Sequence, residues 1–421
     1  MTHPPVCGFD FGTSNSVVSI ACTAKEARVL PIDNAMTTPS AMFYPSSGGL
    51  PLFGRDAAAA YQSGEDGRFL RSLKRALGTS LMEEGTLIGH RRVPLGEITM
   101  AFIRYLREKA EEQACQPLTH VVAGRPVHFV DSSPDKDQLA QTQLELIFKN
   151  AGFRHILFQY EPVAAAFAHE IHLPARDHLA LVMDIGGGTS DFSVLRLSGA
   201  ALSKMDRSDD ILGHSGLRLG GNDFDRSLSL QNFMPLLGMG TLWGDRGLTF
   251  PAYPFFDLSE WSKIPFMYTP KYKRDLEDLA RGAKDQRKIR RLVHVTHHEK
   301  GHAVLGAVED AKIALSAAPV YVSDLSCIED RLTLSVTSAD IKQAIAESCE
   351  KLAATMTECL IQSGLTGQQI DLIILTGGGT AIPAVQQVAR TLCPQAAVSA
   401  ENMMASVGLG LAYDAARRFR P

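Results

Sequence analysis

Two segments of this chain, Phe9–Ile20 and Met183–Val194, follow one pattern: an apolar strand, an aspartate, a turn of small residues, and a second alternating strand. In the first the aspartate is Asp10 and the turn is Gly12-Thr13-Ser14. In the second they are Asp184 and Gly186-Gly187-Gly188-Thr189, with Asp191 just beyond. Glycine at such a turn lets backbone N–H groups approach an anion with no Cβ in the way, and the hydroxyls add donors. An aspartate beside the cradle repels phosphate unless a cation lies between them, and hard oxygen ligands suit Mg²⁺. One glycine turn is an ordinary hairpin signal; two with the same aspartate predict one metal-nucleotide held between two similar halves.

The 421 residues leave room for two domains at ~100 to 200 residues each. A net charge of -4 argues against nucleic acid as a principal partner. The basic stretch Lys271–Arg291 is interleaved with Asp275, Glu277, Asp278 and Asp285, as on a solvated helical face. Seven cysteines without a C-x-x-C pair suggest neither a disulfide framework nor a thiolate metal site, which fits a reducing cytoplasm. With no leader-like N-terminus and no apolar run of ~18 residues, a soluble, cytoplasmic protein without a membrane partner is expected.

Strand-like alternation from residue 6 to about 36 ends at Thr37-Thr38-Pro39-Ser40, and residues 37–118 read as an insertion with a helix near Ile98–Gln113. A buried strand from His120 to Ala123 is broken by Gly124-Arg125-Pro126 and followed by a helix over Pro134–Ala151. The second half repeats the plan: strands over about 179–205, an insertion over 227–333, a helix over Thr337–Gly364, and a strand over Ile370–Thr376. That strand runs into Gly377-Gly378-Gly379, so a helix is expected to open at Thr380 with free N–H groups facing a ligand. A last helix is expected over Ser406–Arg417. Met234–Gly240 and Pro251–Pro270, the latter rich in Phe, Tyr, Trp and Pro, read as added loop. Aromatics between prolines more often tack such a loop onto its own domain than form a binding surface. His298-Glu299-Lys300-Gly301-His302 matches H-E-x-x-H, which on one helix would aim two imidazoles at a zinc. Gly301 disfavours helix there and no third ligand is evident, so a solvated or groove-edge histidine pair is the expected reading, on the same helix as Glu309 and Lys312.

Taken in order, Gly8–Ser16, Phe69–Gly78, Gln159–Ala166, Asp184–Asp191, Leu219–Asp225, Val308–Ser316 and Leu375–Pro383 resemble the motifs of the DnaK-type heat-shock chaperone ATPases, within the actin, heat-shock and sugar-kinase superfamily. Phe158–Val163 and Gly213–Gly216 are similar to short YegD-type members. The resemblance implies an α/β, two-lobed actin-like ATPase fold of duplicated ribonuclease-H-like domains. Lobe I would span 1–177, with an insertion at about 37–118, and be completed by a C-terminal helix in 400–421. Lobe II would span 178–399, with an insertion at about 227–333.

It also implies roles. Asp10 and Asp184 would hold Mg²⁺ through water, and Gly12, Thr13, Ser14, Gly186, Gly187, Gly188 and Thr189 would cradle phosphate. Lys74 would stabilise charge at the γ-phosphate, and Glu161, Asp184 and Asp191 would complete the catalytic set. Gly220, Gly221, Glu309, Lys312, Ser316, Gly377, Gly378 and Gly379 would line the nucleoside side. Taken singly, Lys74 reads better as a surface charge, Glu161 as a helix cap beside Pro162, and Asp191 as a turn residue. The chain departs from the family at Ile313 and Ala381, where arginines would stack on adenine. The implied function is a slow Mg-ATPase acting as a chaperone-like nucleotide switch, with ATP and ADP as ligands and a client or cochaperone as partner. The chain stops at Pro421, so the family's peptide-gripping sandwich and lid are not expected. A catalytically lapsed nucleotide-binding module is one alternative. A small-molecule kinase is another, although no motif supplies its base.

Overall fold

The computed structural model describes residues 5–23, 26–89, 91–130, 133–204, 206–400 and 404–419. The chain divides into one unit formed by Met1–Gly221, Lys351–Ala381 and Val385–Pro421, and another formed by Asn222–Glu350 with Ile382–Ala384.

Beside a small three-stranded sheet within residues 41–71 and a two-stranded one within 85–94, the first unit holds two large sheets. Numbering only their main strands, they comprise β1 (Val6–Phe11), β2 (Asn15–Thr23), β3 (Glu26–Val29), β4 (His120–Arg125) and β5 (His155–Tyr160), then β6 (His178–Ile185), β7 (Ser190–Leu197), β8 (Ile211–Leu217), β9 (Leu372–Thr376) and β10 (Ala397–Ser399). The first sheet runs β5-β4-β1-β2-β3, and the second runs β8-β7-β6-β9-β10. In both, the central strand is antiparallel to its hairpin partner and parallel to the strand on its other side. One topology is therefore present twice, as the resemblance to a duplicated α/β fold implied.

The central strands β1 and β6 are apolar almost throughout because both faces are covered. On the outer face of the first sheet, helices Leu95–Ala114 and Pro134–Asn150 bring Phe102 and Phe148 into a core with Phe9 and Phe153. Phe148 meets Phe9 edge-on at 5.1 Å between ring centroids. Between the sheets lie two helices, Glu161–Glu170 and Ser406–Phe419, packed on each other. The first lies against β6 and β7 and the second against β1 and β2, so each half covers the other's sheet. Ala164, Ala165 and Ala166 meet Leu411, Ala412 and Ala415 there, small side chains that allow close approach.

A buried ionic network locks the far end of the Glu161 helix. Arg207 Nη1 and Nη2 donate to the two Glu170 carboxylate oxygens, both at 2.6 Å, and Nε donates to Asp210 at 2.6 Å. Lys204 adds a second cation to Asp210 at 3.1 Å.

The second unit is mainly helical, and here three expectations are corrected. Pro251–Pro270 is not a loop: it contains helices Tyr253–Leu258 and Ile264–Met267, which bury Phe255, Leu258, Ile264 and Met267. Pro254, Pro265 and Pro270 each sit in a helix's first turn, where their missing N–H costs nothing. Met234–Leu237 is likewise a 3₁₀ turn, ended by Gly238 at φ 103°. The H-E-x-x-H segment is not one helix: helix Gln286–His297 ends at His298, Glu299 adopts φ 56°, and a new helix runs over Gly301–Ala314. His302 therefore shares a helix with Glu309 and Lys312 but His298 does not, and His302 packs on the Trp261 ring at 5.2 Å.

Candidate functional site

The two aspartate-glycine hairpins share one register. Phe11 faces Ser16 and Ile185 faces Ser190, so each loop has four residues. One step back, Asp10 faces Val17, whereas Asp184 faces Asp191. Ser40 ties the first loop down, donating its hydroxyl to Gly12 O at 2.8 Å and its backbone N–H to Ser14 O at 2.8 Å. In the second loop Gly186 N–H donates to Thr189 O at 3.0 Å.

The loops meet each other within the first unit. A Cβ at Gly187 would lie 2.0 Å from Ser14 Oγ, and one at Gly188 would lie 3.0 Å from Thr13 Oγ1 and 3.2 Å from Arg75 Cδ. Glycine is thus a packing requirement of loop-to-loop approach here. The third glycine run joins them: Gly377, at φ 78°, would place a Cβ 2.3 Å from Ile185 O and 2.9 Å from Asp184 Oδ1. The helix expected to open at Thr380 is instead a 3₁₀ turn over Gly378–Ala381, with the α-helix starting at Pro383. Thr380 N–H is spent on Gly377 O at 3.2 Å, so it is not free for a ligand. Gly221 N–H donates to Gly186 O at 2.9 Å, fastening the Gly220-Gly221 turn to the second cradle.

Beside the cradles lies an unbalanced charge cluster. Lys74 stands on a 3₁₀ turn, Leu73–Ala76, entered through Ser72 in the left-handed region at φ 61°. It is only 6% exposed, and its Nζ donates to Glu161 Oε1 at 2.5 Å. Glu161 is the first residue of its helix with Pro162 behind it; the N-cap position is held by Tyr160, and the Glu161 carboxylate is turned to Lys74 instead. Asp184 and Asp191 are buried and Asp10 is half-buried. Asp191 Oδ1 accepts from Val127 N–H at 2.6 Å.

Four carboxylates thus surround one ammonium. Burial, then the neighbouring Glu161 charge, pushes the Asp10 carboxyl up to about 7 against the opposing pull of Lys74. Asp191 is pushed up to about 7 by burial and Glu161, although the Val127 and Thr189 hydrogen bonds oppose the shift. Asp184 is raised well above the ordinary carboxylate range by burial, then by Glu161, Asp191 and Asp10. Burial pulls the Lys74 amine down, but Glu161, Asp10 and Asp191 outweigh it and hold it above its usual value.

Such a cluster is short of positive charge, and its donors are hard oxygens, so the residues fit Mg²⁺. Among the described residues no group of three His, Cys, Asp or Glu side chains is placed to hold a metal ion by itself. The fit is therefore to a cation held through water and ligand phosphate oxygens.

The remaining sequence candidates lie in the second unit. Glu309 and Lys312 stand one turn apart on Gly301–Ala314; Ser316 falls just past that helix and bonds back to Lys312 O at 3.2 Å. Lys312 Nζ pairs with the buried Asp225 at 2.8 Å, and Ile313 beside it is 60% exposed.

Sequence reading missed Ser40, Arg75, Val127 and Arg218, because their contacts join segments distant in the chain. Gly124, expected to break the strand after Ala123, instead lies inside β4, where a glycine marks close approach: its Cβ would meet Glu161 Cγ at 3.1 Å.

Comparison with known families places this geometry. The family model described as Hsp70 protein matches residues 6–234 and 281–416, leaving 235–280 between the two matched stretches. The match covers both cradles, Lys74, Glu161 and the Gly377–Gly379 turn, and agrees with the actin-like ATPase fold of two duplicated sheets.

Proposed function

The chain belongs to the Hsp70 family, whose members are nucleotide-binding, chaperone-type ATPases, and on that premise we propose that it binds ATP with Mg²⁺ and hydrolyses it slowly as a nucleotide switch. The observation that carries this reading is the buried Lys74–Glu161 pair set among Asp10, Asp184 and Asp191, beside two touching glycine cradles.

Phosphoryl transfer to water needs charge neutralisation and positioning more than covalent chemistry. Thr13, Ser14 and Thr189 supply hydroxyl donors at the cradles, and the buried Lys74 ammonium supplies fixed positive charge. Glu161 and Asp191 offer carboxylate acceptors to a water, each held by a partner: Lys74 for one, the Val127 N–H for the other. Asp10 and Asp184 would hold Mg²⁺ through water, and the ion would neutralise phosphate charge when bound. The nucleoside side would draw on Gly220, Gly221 and Gly377 to Gly379, with Glu309, Lys312 and Ser316. The switch reading, a YegD-type kinship, the lobe boundaries 1–177 and 178–399, and a protein client or cochaperone belong to the same proposal.

ATP turnover tests it. Asp10→Ala and Asp184→Ala should each abolish Mg²⁺-dependent hydrolysis, and a wild-type rate in either variant would remove the two-cradle reading. Adding candidate sugars should leave wild-type turnover unchanged; stimulation would favour the kinase class. Ile313 and Ala381 favour loose base recognition, because neither offers a flat cation to stack on adenine. Arginine at both positions should tighten ATP binding at least about tenfold, while tripolyphosphate affinity stays fixed.

A further inference from the structure

We infer that Arg218 is a positioning residue that couples the second phosphate cradle to the turn carrying Lys74. The inference rests on the reading of that site as a phosphate site.

Arg218 lies in the short segment between β8 and the Gly220-Gly221 turn. That segment is fastened to the second cradle at two points: Ser190 Oγ donates to Leu219 O at 2.6 Å, and Gly221 N–H donates to Gly186 O at 2.9 Å. Next to the first of those anchors, Arg218 Nη2 donates to the backbone carbonyl of Arg75 at 2.9 Å. Arg75 is the residue after Lys74, on the same 3₁₀ turn. A chain of short contacts therefore runs from the Gly186–Thr189 loop through Arg218 to the base of the lysine.

The turn has reason to need an outside clamp. It is one 3₁₀ turn of four residues, entered through a non-glycine residue in the left-handed region, a conformation that persists only where surrounding contacts hold it. Its backbone has the local bonds Arg75 N–H to Ser72 O at 3.1 Å and Leu77 N–H to Lys74 O at 3.3 Å, and its lysine side chain is tied to Glu161. A charged donor to a backbone carbonyl is stronger than a neutral one and fixes the turn against the opposite half. A displacement of the second cradle would be carried to Lys74 through rigid groups, and an error of ~1 Å at a catalytic group costs up to ~10²-fold in rate.

Two measurements on the full chain test this. In single-turnover hydrolysis, Arg218→Ala should slow the reaction about tenfold while ATP affinity moves less than about twofold. Arg218→Lys, which keeps a cationic donor, should recover part of the loss. In a Lys74→Ala background the Arg218 substitution should add nothing, since it acts through Lys74. The second measurement needs no nucleotide: competitive acetylation read by mass spectrometry, with exposed Lys149 as internal reference. Lys74 should label about fivefold faster in Arg218→Ala than in wild type once the turn is released, with a smaller gain in Arg218→Lys. Unchanged Lys74 labelling overturns the proposal, as does an equal loss of rate with and without Lys74, or a fall in affinity that matches the fall in rate. Should the wild type not hydrolyse ATP, the functional reading fails, and the labelling ratio still decides the role of Arg218. Should Arg218→Ala not fold, the labelling ratio in Arg218→Lys decides it alone.

Discussion

In the first half of the duplicated unit, β4 passes through Gly124 and the crossing helix opens at Glu161; in the second half the corresponding positions are Thr376 and Ser406. Thr376 and Ser406 fill the space between strand and helix and hydrogen-bond to each other at 2.8 Å. Gly124 leaves that space to the Glu161 side chain, whose carboxylate then reaches Lys74. The hairpins diverge in the same way: Val17 stands in one where Asp191 stands in the other. One backbone plan thus gives two glycine loops, and a few substitutions at matching positions set the halves apart. The buried carboxylate on the helix comes from one half, and the one on the hairpin comes from the other.

The largest effect should come from removing the group that the first half alone contributes. Lys74→Ala should cut turnover by about 10² to 10³-fold, with nucleotide affinity within about threefold of wild type, measured by single turnover and calorimetry. An unchanged rate would move weight to the catalytically lapsed reading.

Next comes writing the second half's residue into the first. Gly124→Thr places a Cβ 3.1 Å from Glu161 Cγ and 3.2 Å from Leu411 Cδ1, so the glutamate must shift. Turnover should fall about tenfold while Mg-ATP still binds. Loss of binding together with rate would mean that Glu161 serves the ground state.

A pH series contrasts the cluster with the Glu170–Arg207–Asp210 network. Asp10 and Asp191 are raised to about 7, and Asp184 is raised as well, so the folded protein holds protons that the unfolded chain releases. The stability these groups contribute is complete below their unfolded values of about 4 and is lost as pH rises through about 7. The metal-free melting temperature should therefore fall from pH about 5 to about 8, and Asp191→Asn should flatten the slope. Asp210 behaves oppositely: burial alone would raise its carboxyl, but hydrogen bonds from Arg207 and Lys204 hold it below the ordinary value. Its contribution is present above the unfolded value and disappears only on acidification. A melting temperature that rises toward pH 8 would contradict the charge imbalance at the cluster.

The smallest effect is expected at Ser406→Ala, which removes the bond to Thr376 without touching the cluster. It should cost about 1 kcal/mol of stability and leave turnover within about twofold.

These contrasts also show what a linear reading can reach. Both cradles were legible because aspartate, turn and strands are adjacent in the chain, and their repetition pointed to duplication. Val127, Arg218 and Ser40 were not, since each acts across dozens of intervening residues. Prolines misled between 251 and 270, where breakers of one helix serve as starts of the next. Glu299 misled differently: its left-handed backbone ends one helix inside a motif that needs continuity.

The central claim is that both halves hold one Mg-nucleotide, and calorimetric titration of ATP with and without Mg²⁺ tests it most directly. The account predicts one nucleotide per chain, at least tenfold tighter with Mg²⁺, and a Mg²⁺ dependence lost in both Asp10→Asn and Asp184→Asn. Binding that ignores Mg²⁺, or a Mg²⁺ dependence that survives either substitution, would contradict it.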